Sequence, residues 1–83
     1  MDIFLASAKI LSVASNGASH ARIVSANGHL RHDEIRWLLK MLIDKRLVEL
    51  DSSMTYWATV DGIKFLEIQS NMERILQAQK SLV

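Results

Sequence analysis

The sequence predicts a mainly α fold with one small β-hairpin and a long C-terminal helix. Three observations carry that prediction. Apolar residues recur at helical spacing through residues 2–15, 32–45 and 65–82. A polar turn, Asn27-Gly28-His29-Leu30, separates two helical stretches in the order of a helix-turn-helix. Near residue 50, two short strand-like runs flank the polar loop Asp51-Ser52-Ser53.

In the first helix, Ile3, Ala6, Ile10, Val13 and Ala14 fall on one side, with Phe4 and Leu11 on its shoulder. Asn16-Gly17 ends it, because both residues tolerate the left-handed conformation that closes a helix. Ser19 is the expected N-cap of a short second helix through Ala26, with Ile23 and Val24 turned inward. Leu30 anchors the following turn. From His32 to Lys45 a narrow stripe of Ile35, Leu38, Leu39 and Leu42 faces the core, and Asp33, Arg36, Trp37, Lys40 and Asp44 project from the other side. Leu47–Leu50 and Met54–Ala58 form the hairpin, with Tyr56 and Ala58 on one face and Thr55 and Trp57 on the other. Thr59 caps the last helix, with Asp61 placed against its positive end.

That last helix carries Phe65, Ile68, Met72, Ile75, Gln79 and Leu82 at alternating spacings of three and four, which is a heptad seam. Leu66 and Leu76 widen it. The first turns are expected to pack on the domain, and the later turns need a partner. An 83-residue chain buries only a modest core, and without cysteine neither a disulfide nor a thiolate metal site can reinforce it. A hydrophobic content of 49% in so short a chain fits oligomerisation instead, so a homodimer joined largely through this helix, with help from the first helix, is expected. The expected layout is residues 1–62 as the helix-turn-helix unit and 63–83 as the dimerisation helix, continuous as one globular unit.

The charge is uneven. Residues 20–46 hold six Lys/Arg against three Asp/Glu, whereas residues 47–83 hold three against five. His20, His29 and His32 all lie in the basic third. Arg36 and Lys40 sit one turn apart on the outward face of the third helix, and Arg31 and His32 stand at its start, an arrangement suited to a major groove. Arg22 and Lys45-Arg46 are candidate phosphate contacts. Trp37 and Trp57 project away from the core and are candidates for contact surfaces.

The order of elements resembles the winged helix-turn-helix domains of archaeal-type regulators, among them small chromatin-associated proteins that dimerise through a C-terminal coiled coil. The likeness is carried by Leu30, Leu38-Leu39, the stretch Leu42 to Val48, and Tyr56 to Leu66, which fits the family pattern aromatic, x, apolar, Thr, x, x, Gly, x, x, apolar, Leu. The resemblance implies a recognition helix over His32–Lys45, with Arg31, His32, Arg36, Trp37, Lys40 and Arg22 as the DNA-binding residues. It also implies duplex DNA as partner, and dimerisation through the seam of Phe65, Ile68, Met72, Ile75, Gln79 and Leu82. The chain departs from the family at three positions: Arg46 stands where the family has Gly, Arg31 where it has a Ser-like N-cap, and Trp37 where a polar or basic residue is usual.

Other function classes find little in the chain. His29 and His32 precede Asp33, but no further ligand has metal-site spacing. No nucleophile motif, phosphate-binding glycine loop or convergent carboxylate pair points to an enzyme, and no cofactor is implied. Asp2 and Lys9 interrupt what would otherwise resemble a signal peptide, and no apolar run reaches membrane-spanning length, so a cytoplasmic protein without a membrane partner is expected. The expected function is that of a DNA-binding transcriptional regulator or chromatin-associated protein. The alternative is a winged-helix interaction module that engages a protein through Trp37 and the heptad seam, without DNA.

Overall fold

A computed structural model describes residues 1–81, with backbone only for 79–81. Its elements run α1 (Ile3–Ala14), α2 (His20–Ala26), α3 (His32–Asp44), β1 (Val48–Leu50), β2 (Tyr56–Ala58) and α4 (Val60–Ser81). The mainly helical fold with a two-stranded hairpin and a long final helix is therefore the one the sequence predicts, and its layout is that of a winged helix.

The Asp2 carboxylate caps α1 by accepting from the Leu5 N–H at 3.1 Å. This helix is the centre of the molecule, since it packs against α2, α3, α4 and β2. Ile10, Leu11 and Ala14 are fully buried, and Ser7 and Ala8 join them because small residues let neighbouring elements close in from several sides. Its start behaves differently from the expected stripe. Ile3 and Phe4 are exposed, with Phe4 stacked on Phe65 of α4 at a ring separation of 6.2 Å. The helix ends at Ala14, and Gly17 takes the left-handed backbone at φ +80° while its N–H bonds to the Ala14 carbonyl at 3.1 Å.

Ser19 caps α2 through a bond from the Arg22 N–H at 3.2 Å. Asn27 then closes that helix with its side-chain amide on the Ile23 carbonyl at 2.8 Å, wholly buried. In α3 the apolar stripe of Ile35, Leu38, Leu39 and Leu42 is buried as its spacing requires. The helix ends in a Schellman motif: the Arg46 N–H bonds to the Ile43 carbonyl at 2.9 Å, and the Leu47 N–H reaches the Leu42 carbonyl at 2.8 Å. Such a cap needs a left-handed residue, and Arg46 occupies it at φ +61°.

Strands β1 and β2 pair antiparallel, with Val48 opposite Ala58, Glu49 opposite Trp57 and Leu50 opposite Tyr56. The regular strands are shorter than expected because Met54 turns left-handed at φ +63° and residues 51–55 form the tip. Ala18 adds a bridge to the other edge of β2, exchanging two backbone hydrogen bonds of 2.9 and 2.8 Å with Tyr56.

Thr59 joins the hairpin to α4. Its hydroxyl donates to the Arg46 carbonyl at 2.8 Å and accepts from the Gly62 N–H at 3.1 Å, so one side chain ties the end of α3 to the start of α4. Gly62 is buried where α4 crosses the chain entering β1; a Cβ there would run into the Leu47 carbonyl and lie 3.0 Å from Leu11. Phe65 and Leu66 pack against the core, and Ile68, Met72, Ile75 and Leu76 are exposed. The side chain of Gln79 and all of Leu82, the last two seam positions, lie outside the described residues.

Candidate nucleic-acid interface

Burial of one side of α3 fixes what its other side presents. With Ile35, Leu38 and Leu42 essentially inaccessible, the helix cannot rotate, and Arg36, Trp37 and Lys40 are held outward, Trp37 at 50% exposure. Arg36 and Lys40 stack one turn apart. Among the described residues neither has a carboxylate within ion-pair distance, so both charges face solvent uncompensated. Trp37 stands between two open depressions. One, of about 420 Å³, is lined by Lys40, Met41, Asp44 and Lys45. The other, of about 600 Å³, is lined by Met1, Ile3, Arg31, Asp33 and Glu34.

Arg31 is differently placed from Arg36 and Lys40. Its Nε lies 3.4 Å from Asp33 and 3.6 Å from Glu34, while its backbone N–H donates to the Glu34 carboxylate at 3.0 Å. A guanidinium has no acceptor, so only this return half of a capping box can form, whereas a Ser hydroxyl would also accept from the Glu34 N–H. The two acids sit in the first turn of α3, where the helix dipole also favours them. Much of the Arg31 charge is therefore answered within the protein. His32, beside it, is exposed.

Arg22 is exposed on α2, and Lys45 and Arg46 are exposed at the end of α3. His20 instead leans towards the hairpin, its ring 6.4 Å from that of Tyr56. Among the described residues no group of three His, Cys, Asp or Glu side chains is placed to hold a metal ion. No described helix is long and apolar enough to cross a membrane.

The hairpin tip has its own organising residue. Asp51 Oδ1 accepts from the Ser53 N–H at 2.9 Å, the Ser53 hydroxyl at 2.8 Å and the Thr55 N–H at 3.0 Å, and Oδ2 accepts from the Trp57 indole at 2.9 Å. These donors, the Thr55 N–H foremost and then the indole, hold the carboxyl down to about 2 although it is exposed. The indole thus held lies over Gly17, where any Cβ would meet the ring at 2.8 Å. Trp57 is a structural cover of the hairpin, still 42% exposed. From the sequence, Asp51 is legible only as the first residue of the hairpin's polar loop. The cue to its role was an Asp at the head of a turn with Ser two residues on, the composition of an Asx-turn. No family model matches the chain, and no curated protein matches it.

Proposed function

We propose that this protein binds duplex DNA through the outward face of α3 and acts as a homodimer, as a small transcriptional regulator or chromatin-associated protein within the cytoplasm. One observation carries the reading: Arg36 and Lys40 are presented side by side, with no ion-pair partner among the described residues, by a helix whose opposite face is locked into the core. An α-helix fits a major groove, Arg can read guanine bidentately, and Lys neutralises phosphate. His32 at the start of α3 and Arg22 on α2 are further exposed candidates for the contact, and Arg31, tied to its two acids, contributes less.

The alternative reading is a winged-helix module that binds a protein. It is favoured by Trp37, a large half-exposed aromatic beside the exposed Met1 and Ile3. Titrating a labelled mixed-sequence duplex by fluorescence anisotropy at several salt concentrations separates the two. Saturable binding that weakens as salt rises is the outcome expected of phosphate contacts. Absence of binding at low salt overturns the DNA reading and leaves the protein-binding one.

A further inference from the structure

The two ends of α1 meet different parts of α4. Leu11 packs beside Gly62 and Phe4 stacks on Phe65, while Asp2 and Leu5 share a groove with Ile68, Met72 and Leu76. The helices are therefore antiparallel, and the start of α1 runs along the side of α4 as that helix leaves the core. Between them lies an apolar groove of about 390 Å³. Phe4 is 70% exposed despite its stacking, Leu5 is 54% exposed, and Ile68, Met72, Ile75 and Leu76 all lie between 56% and 60%.

We infer that this groove, with Phe4 and Leu5 of α1 as one wall, receives α4 of a second copy of the chain. The inference rests on the homodimer reading above and assigns α1 a direct part in it. Area supports a second copy. The six exposed side chains offer on the order of 700 Å² per protomer, close to the roughly 800 Å² that each partner buries in a standard interface. That is more than the roughly 300–600 Å² of the largest apolar patch on a typical monomer. Length supports α1's involvement. The seam from Phe65 to Leu82 spans fewer than three full heptads, too short for two α4 helices to hold together as a free-standing coiled coil. Symmetry supports self-association, because α4 is both a wall of the groove and a helix whose exposed apolar face is able to fill one, so a twofold pair closes with both surfaces covered.

The test is sedimentation equilibrium of the full chain, its Leu5→Glu and Phe4→Ser variants on α1, and Met72→Asp on α4. The α1 side chains are exposed, so the variants are expected to keep the parent's helical circular dichroism; Phe4→Ser, the milder change, stands in if Leu5→Glu does not. A dimeric parent whose dissociation constant rises about tenfold or more in the α1 variants as well as in Met72→Asp is the expected result. A dimeric parent weakened by Met72→Asp but unaffected by either α1 change overturns the role of α1 and leaves the homodimer intact. A parent that is monomeric at tens of micromolar overturns the homodimer reading and this inference with it.

Discussion

Asp51 collects four hydrogen bonds at the hairpin tip, and their energetic sense follows from its titration. Its folded pKa, about 2, lies below the ordinary carboxylate value of 3.8. The ionised form is thus favoured in the folded state, and the stabilisation is complete above the unfolded pKa and is lost as pH falls through the folded one. Parent protein is expected to melt above an Asp51→Asn variant at pH 6, with the gap narrowing between pH 4 and 2; a gap independent of pH would show that the charge is not what the tip uses. Arg46 presents the opposite case, a residue at odds with its backbone. The Schellman cap of α3 demands φ near +60°, which suits glycine and strains any residue with a Cβ. Arg46→Gly is expected to stabilise the fold by about 1 kcal/mol, read as a rise of about 4–8 °C in Tm at fixed protein concentration. An unchanged or lower Tm would mean that the Arg46 side chain compensates for its own strain.

The start of α4 is set by Thr59 and by the absence of a side chain at Gly62. Gly62→Ala must push α4 away from the Leu47 carbonyl or bend the chain entering β1, so a loss of about 1–3 kcal/mol is expected in chemical denaturation. Gly28→Ala is the control, since the nearest atom to a Cβ there is 3.9 Å away and its backbone is not left-handed; it is expected to leave stability nearly unchanged. Replacing Gly by Ala lowers the entropy of the unfolded chain and by itself stabilises, so comparable losses in both would mean that the crossing of α4 over the strand is not what sets the cost at Gly62. The same elements explain how far the sequence could be read. α3 was legible in full because it packs along one side only, so Ile35, Leu38, Leu39 and Leu42 stand out against a polar background. α1 was legible as a helix but not in its exposure, because a central helix is buried on several sides and its small residues, Ser7 and Ala8, carry no hydrophobic period. The hairpin was legible in place, but the left-handed Met54 and the closed tip depend on hydrogen bonds that alternation does not encode. At the proposed interface, spacing placed Arg36, Trp37 and Lys40 together on one face; it could not foresee that Asp33 and Glu34 would draw in Arg31.

Across the whole molecule, charge and apolar surface are divided between different elements. The surplus of Lys and Arg lies in residues 20–46, which hold α2 and α3, whereas the exposed apolar face lies along α1 and α4, with the acids Asp2 and Glu73 at its margin. A net charge of +1 gives little general attraction to a polyanion, so the proposed DNA binding must come from a few well-placed cations. Each phosphate neutralised by a cation contributes about −0.9 to the slope of log affinity against log salt concentration. If Lys40 meets phosphate in both halves of a dimer, Lys40→Ala is expected to flatten that slope by roughly two units and to weaken binding similarly on all duplexes. Arg36→Ala, if that side chain reads a base edge, is expected to alter preference among duplexes and change the slope little. Both variants remove exposed side chains from a helix pinned by its buried stripe, so their folding serves as an internal check through unchanged melting. Should both leave slope and preference as in the parent, DNA contact would have to be sought away from α3, and the half-exposed Trp37 would mark that face as a site for protein.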